Sequence, residues 1–272
     1  MTGVIGEFRN RLLNELQLER ASCFICGKQG KFQFPTPLAS EINSYEQYVD
    51  ALNLRENFAC RLCSSSGRDR MMMYALALVL GEKAPLVDWK RRTEMKVFET
   101  TGQRAHPSIL RQKYDYYNTE YDPVAMSSGY DIRRYADVQK LPYESALFDI
   151  CLSSDVFEHV RLYEQGFLEI YRILKPSGAL VMTVPYVHGW EKTHIRVQPE
   201  GERDIFLEEP IYHAGHTLVY RVYGRDLLAF LQSIGFSVAY VEGEWLEHGI
   251  THQNVIIALK SPFLDISNIV KR

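Results

Sequence analysis

The chain has 272 residues, a formal net charge of -3 and a hydrophobic share of 46%. That length can bury a substantial core, as one α/β domain or as a small module joined to a larger one. The charge argues against a protein whose main partner is nucleic acid, and the run Lys90-Arg91-Arg92 reads as a solvated face.

The first residues, MTGVIGEFRN, lack the basic start and apolar stretch of a secretory signal, so a cytoplasmic protein is expected. The apolar run Met71 to Leu80 is shorter than the roughly 20 residues that span a bilayer. It predicts a buried helix, with no membrane as partner.

Two C-x-x-C turns stand before that helix, Cys23-Phe24-Ile25-Cys26 and Cys60-Arg61-Leu62-Cys63, with 33 residues between Cys26 and Cys60. Each turn points two thiolates at one point, and two turns complete a tetrahedral Zn²⁺ site. A structural zinc held by Cys23, Cys26, Cys60 and Cys63 is expected. Four protein ligands leave no position for substrate, so the ion would organise the fold. Because the spacer is longer than in the tightest zinc ribbons, unconnected thiols are the alternative. Residues 1–70 carry nine basic and eight acidic side chains, a balance unlike that of a nucleic-acid-binding finger. They are read as a zinc-binding module, and residues 71–272 as the larger domain. The fifth cysteine, Cys151, sits in an apolar run and reads as a small core residue.

From residue 94 onward, short apolar runs alternate with helical patterns, as in βαβ units. Strands are expected at Met95 to Phe98, Tyr114 to Asn118, Leu147 to Ser153, Ala179 to Val184, Ser237 to Val241 and Val255 to Lys260. A shorter one is expected near Ile132 to Tyr135. Helices are expected from Leu162 to Leu174, before Lys175-Pro176-Ser177-Gly178, and from Arg225 to Ile234, before Gly235. The segment Tyr186 to Val219 has little periodicity and many charges, which suggests a lid or binding loop that orders on acceptor binding, with simple disorder as the alternative.

In an open parallel sheet, ligands sit beyond the carboxyl ends of the strands. Glu99 ends the first strand, and Glu120 follows 21 positions later. That spacing suits a carboxylate that accepts from a ribose. Asp137 and the Ser153-Ser154-Asp155 turn fall at later strand ends. Each acid alone reads as a cap or a surface charge, but together they are in register with four strand ends. The loop after the first strand, Glu99-Thr100-Thr101-Gly102-Gln103-Arg104, has a single glycine. No G-x-G-x-x-G follows the strand to receive a pyrophosphate, which disfavours a dinucleotide oxidoreductase.

The block Ala136-Asp137-Val138-Gln139-Lys140-Leu141-Pro142-Tyr143, with Phe148-Asp149, Phe157-Glu158-His159-Val160 and Ile173-Leu174-Lys175-Pro176-Ser177-Gly178, resembles the class I S-adenosylmethionine-dependent methyltransferases. The resemblance runs from about residue 95 to 260. A subgroup with two upstream C-x-x-C turns and an arginine-bearing helix is similar at Cys60 to Arg70. The resemblance implies a Rossmann-like, mostly parallel seven-stranded sheet in the order 3-2-1-4-5-7-6, with strand seven antiparallel, beside the small N-terminal zinc-binding module.

The same resemblance implies S-adenosyl-L-methionine as cofactor, with Glu99, Thr100, Thr101 and Gly102 beside its methionine part. Glu120 would hold the ribose hydroxyls, Tyr121 an adenine face, Asp137 and its neighbour Val138 the adenine, and Ser154 and Asp155 the cavity near the methyl. Here the loop departs from the family's alternating glycines, and Ser177 replaces a glycine. Methyl transfer to a hydroxyl needs a base, which a neutral histidine supplies near pH 7. His216 ranks first, then His188 and His213, while His159 is expected in a structural or cavity-lining role. The expected activity is transfer to an oxygen or nitrogen of a small polar acceptor, a sugar or other metabolite. A catalytically inactive binder of the same cofactor is the alternative.

Overall fold

The computed structural model of the chain describes residues 2–16, 20–30, 32–33, 44–100, 105–127, 131–213 and 215–261. They fall into two compact units. One comprises Met1–Lys90, Arg104–Gln112 and Glu242–Asn254, and the other Arg91–Gln103, Lys113–Val241 and Val255–Arg272. Among the described residues no helix is long and apolar enough to cross a membrane.

In the first unit, helices Thr2–Leu16, Tyr45–Leu52 and Leu54–Asn57 accompany a short antiparallel ribbon in which Phe32 lies opposite Cys60. Its longest buried element is helix α1 (Gly67–Leu80). Ser66 starts it: the Ser66 hydroxyl accepts from the Asp69 amide at 3.2 Å, and the Asp69 carboxylate accepts from the Ser66 amide at 2.9 Å. This reciprocal cap stabilises such a helix by roughly 1 kcal/mol. Gly81, at φ 73°, ends it in the left-handed conformation that glycine adopts without strain. The expected apolar run is buried from Met71 to Ala77 except at half-buried Tyr74, its last three residues are half-buried, and Arg68 and Arg70 in the first turn are buried too.

The second unit is built on strands β1 (Lys96–Glu99), β2 (Asp115–Asn118), β3 (Phe148–Ser154), β4 (Leu174–Thr183), β5 (Ser237–Trp245) and β6 (Ile250–Leu259). The last two continue into the first unit from Glu242 to Asn254. The sheet order is β5-β6-β4-β3-β1-β2. Parallel pairing sets Phe98 opposite Tyr117 and Cys151, and Leu152 opposite Val181, whereas β6 runs antiparallel to β4 with Ile257 opposite Val181. The central strands are buried almost end to end, as parallel strands covered on both faces must be. Cys151 is enclosed in this core with Phe98, Phe148 and Leu180.

Six strands form the sheet where seven were expected. Near Ile132 to Tyr135 there is only an isolated parallel bridge between Tyr135 and Glu120. Asp131 turns the chain there: its carboxylate accepts from the Arg133 amide at 2.8 Å, and its carbonyl accepts from the amides of Arg134 and Tyr135. Local side-chain and turn bonds of this kind compete with a strand ladder.

Helix α2 (Tyr163–Ile173) buries Gly166, Phe167, Ile170 and Ile173, and the Phe167 ring stacks on Phe157 at 3.8 Å. It passes directly into β4, earlier than the expected start at Ala179, because Pro176 cannot extend a helix. Ser177 takes φ 67°, and a Cβ at Gly178 would lie 2.9 Å from the Lys175 carbonyl and 3.1 Å from that of Asp149. The second of the two residues therefore has to be glycine, while the first tolerates serine at a strain cost. Helix α3 (Asp226–Ser233) is followed by Gly235 at φ 111°.

The charged segment 186–219 was expected to be irregular, yet it enters three antiparallel ribbons. Val197–Glu200 pairs with Arg203–Phe206, Tyr212–His213 with Thr217–Leu218, and His194–Ile195 with Arg221–Val222. Its charges are anchors: Asp204 takes the Arg161 guanidinium and the Tyr220 hydroxyl, each at 2.8 Å.

Candidate functional site

The four paired cysteines converge within the first unit. Their sulfurs all lie within 4.8 Å of one another, with Cys23 and Cys63 at 3.7 Å and Cys26 and Cys60 at 3.7 Å. A tetrahedral ion with metal–sulfur bonds of about 2.3 Å has sulfur–sulfur edges of about 3.8 Å, so the donor set fits such an ion. The two turns are alike. In one the Gly27 amide donates to the Cys23 carbonyl and in the other the Ser64 amide donates to the Cys60 carbonyl, with φ of 70° and 58° at Gly27 and Ser64. None of the four is in a disulfide.

The charge of this cluster is answered by Arg70, which is fully enclosed. Its guanidinium donates to the carbonyls of Ser65, Phe58 and Gly249 at 2.5, 2.8 and 2.7 Å. Burial lowers its pKa, and the neighbouring cysteines oppose that shift. The sulfurs are too close to ionise independently. A hydrogen bond with Cys63 brings Cys23 down to about 4 and drives Cys63 upward.

The second unit contains a cavity of about 790 Å³, inside the range of small-molecule sites. Its walls include Phe98, Thr100, Glu120, Asp137, Val138 and His216, together with His159 and Tyr121. Thr100 is fixed where β1 ends: its amide donates to the Leu152 carbonyl at 3.1 Å and its hydroxyl to Ser153 at 2.9 Å. Glu120 sits in the bridge beyond β2, its amide on the Arg134 carbonyl and its carbonyl on the Ala136 amide. Asp137 follows immediately. Its Oδ1 accepts from the Gln139 amide at 2.8 Å and side chain at 3.0 Å, while Gln139 accepts from the Leu162 amide ahead of α2. Two carboxylates are thus held at successive positions along the carboxyl edge of the sheet.

Other expected residues lie elsewhere. Glu99 is fully buried and its carboxylate takes the Tyr116 hydroxyl, and Ser154 is buried with its hydroxyl 3.3 Å from that of Thr183. Asp155 holds φ 48°, its amide on the Thr183 carbonyl. Among the described residues, none of these three lines the cavity. Thr101 and Gly102 lie outside the described residues. Of the histidines, His216 lines the cavity, whereas His188 stacks on Tyr240 with ring centroids 5.1 Å apart.

His213 reaches the site through His159, a pairing that the spacing of these residues does not reveal. His159 Nδ1 is 2.7 Å from the Leu218 carbonyl, and its Nε2 is 3.1 Å from His213 Nδ1. A carbonyl only accepts, so His159 Nδ1 carries the proton and Nε2 offers a lone pair. Burial pushes the His159 imidazole below its ordinary value, which keeps it neutral.

The turn that presents His159 is clamped by Arg221, almost completely enclosed. Arg221 donates to the carbonyls of Phe157, Val160 and Arg161, and its guanidinium lies 4.4 Å from the Tyr163 ring centroid. The Tyr223 hydroxyl donates to the Phe157 carbonyl at 2.9 Å. One signal for Arg221 was present: a lone arginine in Val219-Tyr220-Arg221-Val222-Tyr223, where burial demands several carbonyl acceptors.

Residues 102–182 match the family described as "Methyltransferase domain". No curated protein matches the chain. Solved structures that match the chain include an S-adenosylmethionine-dependent methyltransferase from Mesorhizobium loti, with 15% identity, TM-score 0.44 and coverage of 71% of this chain and 98% of that one. Another is the 1,6-didemethyltoxoflavin-N1-methyltransferase of Burkholderia thailandensis, bound to S-adenosylhomocysteine, with 18% identity, TM-score 0.42 and coverage of 83% and 94%. A third, from Listeria monocytogenes, has 14% identity, TM-score 0.41 and coverage of 62% and 92%. The matched segment begins in the loop after β1 and ends within β4, so it contains Glu120, Asp137 and His159. Residues 102–182 of the chain are therefore similar to a methyltransferase domain.

Proposed function

We propose that the chain transfers a methyl group from S-adenosylmethionine to an oxygen or nitrogen of a small polar acceptor, such as a sugar or other hydroxylated metabolite. The observation that carries this reading is a single cavity whose lining includes Glu120, Asp137, His159 and His216. The carboxylates suit the hydroxyls of a ribose and the amino group of an adenine, and Val138 and Phe98 supply apolar contact for its ring. When bound, the cofactor supplies an electrophilic methyl group on a sulfonium.

The chain's own residues would do the rest. Glu120 and Asp137 orient the cofactor from positions locked by backbone bonds, which counts because alignment is the main contribution in an in-line displacement. His216, on the cavity wall, accepts the acceptor's proton. Thr100, Thr101, Gly102 and Tyr121 complete the proposed cofactor contacts. Glu99, at the end of β1, acts behind them, its carboxylate holding the Tyr116 hydroxyl of β2.

The cysteine cluster is read as a structural Zn²⁺ site, supported by its sulfur–sulfur distances and by the buried Arg70 beside it. No chemistry is assigned to that ion.

Incubation with methyl-labelled S-adenosylmethionine and fractionated pools of polar metabolites tests the activity. Label should pass to a low-molecular-weight hydroxyl or amine compound. Tight binding of the cofactor with no transfer to any pool would favour the second reading, an inactive binder, which the single glycine between Glu99 and Ala105 recommends.

A further inference from the structure

We infer that Glu158, His159 and His213 form a second metal site in the protein, for a divalent first-row transition-metal ion, set in the second unit next to the proposed methyl-transfer cavity. Each residue offers one ligand atom, and these atoms all lie within 4.8 Å of one another. Two imidazoles and one carboxylate are a donor set that holds Zn²⁺ or Fe²⁺ with coordination positions left over.

The distances suit one ion. His159 Nε2 lies 3.1 Å from His213 Nδ1 and 3.6 Å from Glu158 Oε1. Ligands bonded at about 2.1 Å stand about 3.0 Å apart around an octahedral ion and about 3.4 Å apart around a tetrahedral one. The present separations need only small side-chain adjustments to meet either.

The surroundings are those of a prepared ligand. A metal-binding histidine usually donates its second ring N–H to a carbonyl or carboxylate, which fixes the tautomer and aims the other nitrogen at the ion. His159 does so with the Leu218 carbonyl at 2.7 Å. Leu218 and His213 belong to one ribbon, with His213 opposite Thr217 and Tyr212 opposite Leu218. That ribbon therefore supplies both a ligand and the group that orients another. Glu158 is fully buried, its backbone carbonyl accepts from the Tyr220 amide at 2.8 Å, and the carbonyls on either side of the pair are held by Arg221. Glu158 and His159 are adjacent in sequence, yet the turn directs both donor atoms to the same place.

Three protein ligands leave room for outside donors. Because His159 also lines the cavity, the open positions suit an oxygen donor of the acceptor. That consequence rests on the methyltransferase reading, whereas the metal site itself does not.

The test uses the full chain dialysed against excess Zn²⁺, desalted and assayed for bound metal, with His213→Ala as the principal variant because His213 lies at the surface. His188→Ala serves as control. The variant should hold about one ion per chain less than wild type, and the control should match wild type; equal metal in wild type and His213→Ala would overturn the inference. Co²⁺ gives a second reading. Wild type should show weak nitrogen- and oxygen-ligand bands, beside any thiolate bands, that His213→Ala loses, and a spectrum unchanged by the substitution would contradict the site. Titration of the same preparations with S-adenosylhomocysteine reports separately on the cofactor reading, so the two failures are distinguishable.

Discussion

His159 Nε2 lies 3.1 Å from His213 Nδ1, while the opposite nitrogen of His159 is bonded to the carbonyl of Leu218 in the ribbon that carries His213. One half-buried imidazole thus ties the turn after β3 to the charged segment beyond β4. Replacing His159 by leucine removes the bond and leaves a carbonyl unsatisfied, a change expected to cost roughly 1–2 kcal/mol. Amide exchange should speed up at Val219 and its ribbon neighbours while that of β3 stays slow. Uniform acceleration across the sheet would count against this local role.

Arg221 should matter more to stability than any surface charge. Its guanidinium satisfies three carbonyls while almost completely enclosed. Arg221→Ala is expected to lower stability by about 3 kcal/mol or more in denaturant melts, since it orphans buried acceptors and opens a cavity. Lysine should restore only part of this, because a single ammonium cannot match the planar fork.

The cysteine cluster predicts a metal-dependent first unit. Cys60→Ser should abolish zinc binding at the cysteine cluster and expose the Gly67–Leu80 helix to proteolysis, and prolonged treatment of the wild type with a strong chelator should have the same effect on that helix. A wild-type preparation that keeps its melting curve after verified metal removal would contradict the structural reading.

Acid should loosen the strip that carries Asp137. Glu169 accepts from Arg172 at 2.7 and 2.8 Å and from the Leu141 amide at 2.8 Å, and Arg172 donates onward to the carbonyls of Tyr143 and Leu141. The Arg172 hydrogen bond, the largest cause, lowers the Glu169 pKa below its ordinary value of 4.5. The unfolded chain therefore takes up this proton first as pH falls. The stabilisation is complete above 4.5 and is lost as pH drops from there through the lowered folded value. Glu169→Gln should flatten that part of the stability-against-pH curve, and an unchanged acid limb would show that other carboxylates set it.

Much of this fold could be read from residue order. The apolar runs around Val97, Tyr116, Cys151 and Leu180 lie in strands, and the periodicity of Phe167 and Ile170 marks α2, because burial on one face or both imposes those patterns. The strand near Ile132 misled, since an apolar–aromatic pair looked extended while Asp131 turned the backbone beside it. The segment 186–219 differed in another way: weak periodicity suggested an irregular loop, but it forms short ribbons, and its Asp204 pairs with Arg161 from the turn after β3. The carboxylates at strand ends were visible as positions, and the structure separates them by burial, with Glu120 and Asp137 on the cavity and Glu99 behind it. The meeting of His159 with His213 was not legible. It depends on a ribbon register that brings together residues 54 apart, which no local periodicity encodes.

The central claim is that the cavity beyond β1 and β2 holds S-adenosylmethionine through Glu120 and Asp137, and calorimetric titration with its demethylated product tests this most directly. Wild type should bind about one equivalent, and Glu120→Ala and Asp137→Ala should each weaken binding about tenfold, as expected for loss of one charge-assisted hydrogen bond. NAD should give no heat. Absence of binding by wild type, or full affinity in both variants, would contradict the account.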